Sequence, residues 1–400
     1  MIKVAILGYG TVGSGVYQII KENSKVVEKK SGEAIDIKYV LDLREFPGDP
    51  VEDVLVHDVN VILEDPEVEV VIEVMGGVNP AYNFVKSALE KGKSVCTSNK
   101  ELVAAHGAEL IKIAKSHNRN FLFEAAVGGG IPIIRPLNMH ITADVIDEIE
   151  GILNGTTNYI LSKMEKEGAD FESTLKVAQD LGYAERNPEA DVEGYDAVRK
   201  IAILASLAKE KTVNYEEVYT EGISKITADD FKYAKVMNRR IKLLGKCKNE
   251  DDGIMASVSP RLISVEHPLY HISGVTNGVL VRGNMVGDLV FVGSGAGKLP
   301  TASAVVSDVV DSVRHLNIAT TVRWEDEHLE IADFSKSKKQ FFVRATDDKA
   351  TVEKVFGNVE YIDAGLDNEV GFITPVISEA DFEKKAEELS GLITRIRIED

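Results

Sequence analysis

Residues 3–13 read Lys3-Val4-Ala5-Ile6-Leu7-Gly8-Tyr9-Gly10-Thr11-Val12-Gly13. A short apolar, β-branched run ends in a glycine cluster, and helically spaced apolar residues follow. That order is strand, tight turn, helix, and the glycines match G-x-G-x-x-G. Gly8 makes the turn, Gly10 lets a pyrophosphate approach the backbone, and Gly13 lets the helix pack on the strand. The helix start offers free N–H groups and a partial positive charge to an anion. The spacing predicts a dinucleotide site at the head of a parallel α/β sheet.

Working outward, the pattern repeats. Apolar positions at helical spacing over 12–29 predict the first helix, and Ile35 to Leu41 the second strand. Val68 to Val74 is a near-continuous apolar run of the kind buried on both faces of a parallel sheet. A helix over Pro80–Lys91, a strand Ser94–Thr97, a helix Glu101–His117 and a strand Asn120–Glu124 follow. Strands alternating with helices give a Rossmann-type α/β domain over 1–135. Asp42 and Arg44 close the second strand. An acid there suits the ribose hydroxyls of NAD and an arginine the 2′-phosphate of NADP. Both are present, so NAD and NADP stay open. Asp42 lies 29 residues after Gly13, further than the usual ~20.

The middle of the chain reads as α+β over 136–299. An extended segment Ala143–Leu153 precedes helical patterns at 157–167 and 189–209, and 253–294 is strand-like. A helix over Ala302–His315 is expected to pack back on the first domain, completing it with about 300–325. Ser335-Lys336-Ser337-Lys338-Lys339 reads as a polar, basic linker. Residues 340–400 then follow the order βαββαβ.

Composition narrows the function. With 46 basic and 65 acidic residues the net charge is −19, which disfavours nucleic acid or an anionic membrane as partner. No apolar run reaches the ~18 residues of a membrane helix. The N-terminal apolar run is too short for a signal peptide. Two cysteines, Cys96 and Cys247, form no disulfide framework and fit a cytoplasmic setting.

Three segments carry polar chemistry. Thr97-Ser98-Asn99-Lys100 sits past a parallel strand, where ligands bind. Glu124-Ala125-Ala126-Val127-Gly128-Gly129-Gly130-Ile131-Pro132 has three bare glycines, whose backbone suits either a cation beside Glu124 or a hinge. Gly182-Tyr183-Ala184-Glu185 leads through Asp191 to Asp196 and Lys200, four apart on one helix face ahead of apolar turns. A charged pair entering a buried helix serves a site more often than a surface pair does. His267 and His271 are also four apart, but Pro268 intervenes and a third ligand is lacking. Cys96 sits among apolar residues, which favours packing over nucleophilic chemistry.

These motifs resemble homoserine dehydrogenase over most of 1–325. Gly151-Ile152-Leu153-Asn154-Gly155-Thr156-Thr157-Asn158-Tyr159-Ile160, and Gly293-Ser294-Gly295-Ala296-Gly297 with Pro300-Thr301-Ala302-Ser303-Ala304, add to the likeness. The resemblance implies NAD(P)-dependent interconversion of L-homoserine and L-aspartate 4-semialdehyde, on the route to threonine, methionine and isoleucine. It implies Lys200 as proton donor and Lys100 at the substrate and nicotinamide. Glu185, Asp191 and Asp196 would line the amino-acid site. Thr11, Val12 and Gly297 would touch the cofactor. Glu124, Val127, Gly129 and Ile131 would hold a monovalent cation, usually sodium. It also implies a homodimer or homotetramer with the middle domain's sheet at the contact, and a tail like an ACT regulatory domain. Rival readings are aspartate-semialdehyde dehydrogenase with Cys96 as nucleophile, an oxidoreductase of another hydroxy compound, and a non-catalytic amino-acid sensor.

Overall fold

The computed structural model describes residues 1–250, 253–319 and 322–399. Two compact units result. One comprises 1–145, 202–215 and 291–329; the other comprises 146–201, 216–290 and the chain from Glu330 on.

The first unit begins with β1 (Ile2–Leu7), α1 (Thr11–Glu22), α2 (Ser24–Ser31) and β2 (Ile35–Leu41). It continues with β3 (Leu55–Val56), α3 (Val59–Leu63), β4 (Val68–Glu73), α4 (Ala81–Glu90), β5 (Ser94–Thr97), α5 (Lys100–Ser116), β6 (Phe121–Leu122) and α6 (Ile134–Met139). The six strands form one parallel sheet in the order β3-β2-β1-β4-β5-β6, reversing direction of growth between β1 and β4. Ligands of such sheets bind beyond the carboxyl ends of the strands at that reversal. Val4, Ala5, Ile6, Val70, Val71 and Ile72 are fully buried, so both faces are covered, as a two-sided parallel sheet requires. The single helix expected over 12–29 is broken at Asn23 into α1 and α2. The strand expected over Asn120–Glu124 stops at Leu122, because Glu124 turns into a 3-10 turn and its carboxylate is engaged elsewhere.

Further along come β7 (Ile146–Ile152), α7 (Gly155–Glu167), α8 (Phe171–Asp180), α9 (Glu189–Val192) and α10 (Tyr195–Lys209). After β8 (Lys211–Thr212), β9 (Tyr219–Thr220) and α11 (Ala228–Val236) lie the long strands β10 (Arg239–Glu250), β11 (Gly253–Ser264), β12 (Thr276–Gly283) and β13 (Gly287–Ser294). Then follow α12 (Lys298–Arg314) and β14 (Glu325–His328), which pairs with β8. The helix expected over 189–209 is interrupted at Gly194, whose φ of +84° ends α9 and lets α10 start afresh. Helix α12 packs on α1 where Gly15 has no side chain: a Cβ there would sit 2.8 Å from the Lys298 carbonyl oxygen. Val305 and Val309 of that helix join the core of the first unit.

The tail runs β15 (Lys338–Lys339), β16 (Phe341–Ala345), α13 (Lys349–Phe356), β17 (Glu360–Ile362), β18 (Val370–Ile373), β19 (Ile377–Ser378), α14 (Glu379–Ala386) and β20 (Leu392–Glu399). The expected βαββαβ order is present, with β19 added. The expected linker 335–339 is structured instead: Phe334–Lys336 form a 3-10 turn and β15 pairs with β19. The tail's sheet also joins the middle sheet. β20 pairs in parallel with β11, giving ten strands with the path β13-β12-β7-β10-β11-β20-β16-β18-β17, and β9 beside β11.

Arg397 of β20 fastens this join. Fully buried, it donates to both carboxylate oxygens of Glu379 (2.6 and 2.9 Å), to Glu221 (2.7 Å) and to the Tyr219 hydroxyl (3.0 Å). Burial alone disfavours its charge, but the Glu379 and Glu221 carboxylates hold the guanidinium firmly protonated. Removing one partner of a buried pair typically costs ~3–5 kcal/mol, because the other charge is stranded. Arg397→Leu is therefore expected to lower the unfolding free energy by about 3 kcal/mol or more in urea melts. An unchanged midpoint would refute the clamp.

Candidate active site

The glycine loop is built as its spacing requires. Gly8 has φ +97°, and a Cβ on Gly13 would lie 2.0 Å from the Gly8 carbonyl oxygen, so only glycine brings α1 this close to β1. A Cβ on Gly10 would meet nothing within 4 Å, the open space that a diphosphate needs. Thr11 is the first residue of α1, and Gly10 caps it without a side-chain hydrogen bond. Val12 packs against the core from a partly buried position. Beside the loop lies a cavity of about 510 Å³ whose lining includes Gly8, Gly10, Asp42, Arg44, Met75 and Phe84.

At its edge Asp42 and Arg44 form a bidentate ion pair, Nε–Oδ1 2.9 Å and Nη2–Oδ2 2.8 Å. The backbone N–H of Tyr9 also donates to Asp42 Oδ2 (2.8 Å), and that of Arg44 to Oδ1 (3.0 Å). The Arg44 guanidinium, outweighing partial burial, holds the Asp42 carboxyl well below the usual carboxylate range. Asp42 thus ties the glycine loop to the end of β2 and keeps Arg44 at the cavity rim.

Sequence reading gave Glu73 no role. Fully buried at the end of β4, it accepts from Thr97 Oγ1 (2.6 Å) and from the Met75 N–H (2.8 Å). Thr97 Oγ1 accepts from the Asn99 N–H (2.9 Å), and Asn99 Nδ2 donates to the Gly77 carbonyl (2.6 Å). Burial pushes the Glu73 carboxyl up, against these hydrogen bonds. The network locks together the loops after β4 and β5. Lys100 starts α5 behind the Asn99 cap, whose Oδ1 accepts from the Leu102 N–H (3.1 Å). The signal available in the sequence was an acid closing the apolar run Val70-Val71-Ile72, shortly before Gly76-Gly77.

In the other unit, Lys200 and Asp196 meet one turn into α10. Lys200 Nζ donates to Asp196 Oδ2 (2.6 Å) and to the Leu153 carbonyl (2.8 Å), and both side chains are buried. Asn154 Nδ2 donates to Asp196 Oδ2 (2.8 Å) and to Asp191 Oδ1 (2.7 Å). The same Asn154 caps α7 through its Oδ1. The amide therefore ties together both carboxylates, one of them paired with the lysine, a role the sequence reading did not assign, although an asparagine just before a helix is a recognisable cap. Glu185 lies exposed in the loop between α8 and α9, its carbonyl accepting from Gln179 Nε2 (3.1 Å).

Around the three glycines, Glu124 is buried and its carboxylate accepts the N–H groups of Ile133 (2.6 Å), Ile134 (2.9 Å) and Arg135 (2.7 Å) at the start of α6. Asp308 of α12 accepts from the Glu124 N–H (2.8 Å) and pairs with Arg135 (2.5 Å). Burial, then the Glu124 charge, pushes Asp308 up to about 8. Val127, Gly129 and Ile131 are buried, and no hydrogen bond from the described residues reaches their carbonyls, whereas the Gly128 carbonyl takes the Ile131 N–H (2.8 Å). Gly129 lies against Gly295, where a Cβ would come 2.4 Å from a carbonyl oxygen, and Gly297 caps α12 with φ +119°.

His267 is no metal ligand here. Its Nε2 lies 3.1 Å from Glu150 and its Nδ1 accepts the Leu269 N–H, while His271 meets Tyr270 edge-on. No group of three His, Cys, Asp or Glu side chains suited to a metal occurs among the described residues. Burial pushes the Cys96 thiol well above its usual value, opposite to what the nucleophile of a semialdehyde dehydrogenase needs.

A parallel six-stranded sheet with a glycine cradle at its reversal point, and a buried lysine–carboxylate cluster elsewhere in the chain, define a nicotinamide-dependent oxidoreductase. The family model described as homoserine dehydrogenase, NAD binding domain matches residues 8–124, and that described as homoserine dehydrogenase matches residues 132–310. The homoserine dehydrogenase of Synechocystis sp. is 44% identical over 319 residues, spanning 78% of this chain and 73% of that protein. The crystal structure of a homoserine dehydrogenase from Thiobacillus denitrificans superposes with a TM-score of 0.90 at 35% identity, covering 100% of this chain and 98% of that one. A hyperthermophilic archaeal homoserine dehydrogenase mutant, solved in complex with NADPH, gives a TM-score of 0.66 at 27% identity, covering 78% and 97%. The chain belongs to the homoserine dehydrogenase family and is an NAD(P)-dependent oxidoreductase acting on a CH–OH group.

Proposed function

We propose that the chain interconverts L-homoserine and L-aspartate 4-semialdehyde, within threonine, methionine and isoleucine synthesis, with Lys200 as the proton donor. The observation that carries this reading is the buried Lys200 ammonium, fixed by Asp196 Oδ2 at 2.6 Å and the Leu153 carbonyl at 2.8 Å. A bound nicotinamide supplies the hydride. Hydride addition leaves charge on the former carbonyl oxygen, and a proton delivered as that charge develops contributes ~10²–10⁴-fold. Asp196 orients Lys200, and Asn154 orients Asp196. Lys100 polarises the carbonyl. Glu185, Asp191 and Asp196 hold the substrate ammonium, which selects an amino acid over a plain hydroxy acid.

The cofactor reading rests on the Asp42–Arg44 pair. Arg44 is exposed and anchored at the cavity rim, so it meets a 2′-phosphate, and Asp42 holds it there. NADP is then favoured while NAD is still admitted. The backbone at Val127, Gly129 and Ile131 fits a monovalent cation such as sodium. The carbonyls of these buried residues carry no hydrogen bond from the described residues, and Glu124, buried at the head of the same segment, brings a carboxylate.

Reduced-nicotinamide absorbance with L-homoserine tests the whole reading. Lys200→Ala is expected to lower kcat by about 10²–10⁴-fold while cofactor fluorescence titrations stay as in the parent. Lys200→Arg is expected to stay slow, because a guanidinium of pKa above ~12 does not give up its proton. Turnover near the parent rate in either variant would sink the donor assignment. Arg44→Ala is expected to raise KM for NADP about tenfold, a loss of ~1.4 kcal/mol, with less effect on NAD. Equal effects on both cofactors would remove Arg44 from the phosphate. Replacing sodium chloride by choline chloride at equal ionic strength is expected to lower the melting temperature. Identical melting curves would leave the backbone site without its cation.

A further inference from the structure

The stretch that reads in sequence as a basic linker lines one side of a cavity of about 620 Å³ at the seam where the tail joins the middle sheet. Six cationic side chains line it: Lys246, Lys248, Arg261, Lys336, Lys338 and Lys339. Only three acids, Glu250, Asp333 and Glu399, share the lining among the described residues. In a chain of net charge −19 this is a pronounced local reversal.

Glu399 is the built-in counterion. It pairs with Lys246 (2.5 Å), with Arg261, and at longer range with Lys339 (3.9 Å). Glu148 and Glu150 also face Lys246 from β7, but Arg282 and His267 engage those two carboxylates. Glu399 thus meets three buried or half-buried cations at once, and Glu148 and Glu150 add their charge at Lys246 alone. Arg261 is 1% exposed, and its Nε has no hydrogen-bond partner among the described residues. Burial, then repulsion from Arg261, pulls Lys339 down to about 8 in spite of Glu399. Lys336 and Lys338 stand exposed at the rim and form no ion pair among the described residues. A buried guanidinium N–H without a partner among the described residues and a majority of cationic side chains around one cavity are the features of an anion site.

We propose that this cavity binds a compact oxyanion carrying two or more negative charges, a phosphate ester or a polycarboxylate, distinct from the cofactor and the amino-acid substrate. Its volume lies within the ~300–1,000 Å³ of small-molecule pockets. Because its walls come from β10 and β11 of the middle sheet and from the 332–340 segment and β20 of the tail, an anion there binds both parts of one continuous sheet.

The test uses the full chain saturated with NADP, so that the glycine cradle is occupied. Inorganic pyrophosphate is titrated calorimetrically against the parent and against Lys336→Glu/Lys338→Glu, two exposed changes outside the reaction chemistry. Lys29→Glu/Lys30→Glu, on α2 of the other unit, is the control for net charge. Saturable binding to the parent and the control, weakened at least tenfold in the Lys336/Lys338 variant with its melting temperature and turnover intact, is the expected result. A parallel titration with citrate assigns the class: tighter pyrophosphate names a phosphate ester, tighter citrate a polycarboxylate, and both uphold the site. Absence of saturable binding, or equal loss in the control and the Lys336/Lys338 variant, would overturn it.

Discussion

The approach of α1 to β1 sets much of the first unit. With a Cβ on residue 13 falling 2.0 Å from the Gly8 carbonyl oxygen, no other residue type permits this packing. Once it is made, the helix start lies at the strand's carboxyl end with no side-chain cap on its N–H groups, and Gly8 and Gly10 of the same turn line the cavity. The same helix then presents Gly15 to α12, which returns from far along the chain to cover the sheet. The Tyr9 N–H reaches Asp42 from within that loop, so the charge at the end of β2 is positioned by the same turn. Cofactor cradle, cavity rim and outer helix follow from one short interatomic distance.

Buried charge is handled differently in the two units, and the contrast bears on function. Around Glu73, a carboxylate is satisfied by neutral donors from Thr97 and the backbone, so it braces loops without adding a mobile charge. Around Lys200 the charges are opposed directly, ammonium on carboxylate, and an amide gathers the acids. Neutral bracing gives a rigid floor, whereas the ion pair holds an ammonium in a fixed direction. On the proposed mechanism that fixed ammonium is the group that gives its proton as the hydride arrives.

Much of this was legible in the sequence. The G-x-G-x-x-G turn, the alternation of strand and helix up to residue 135, and the Asp196–Lys200 pair depend on local spacing, and spacing is what a sequence displays. Features that depend on distant partners were not legible. Lys242 and Lys246 place charge in the buried face of β10, and that hid the strand; only the structure shows Lys242 donating to the Ile272 carbonyl at 2.6 Å. The basic stretch 335–339 looked like solvent-facing linker because its partners, Glu399 and Ile377, lie far along the chain. Asn154 and Glu73 were visible as residue types, but their roles rest on which carboxylate or hydroxyl they meet. The break at Gly194 was hidden because a lone glycine inside a helical pattern is often tolerated.

Both units are discontinuous in the chain, and this orders events during synthesis. Arg135 meets Asp308 across 173 residues, and Asn120 meets the His315 carbonyl across 195. Arg261 waits across 138 residues for Glu399. At a translation rate of ~5–20 residues per second, these gaps correspond to roughly 7–40 s. For that interval the nascent first sheet lacks its covering helix, and the middle sheet carries stranded cations along an unfinished edge. The nascent chain therefore cannot complete one unit before beginning the next. The half-made enzyme exposes apolar sheet surface long enough to be a substrate for chaperones, whatever the stability of the finished fold.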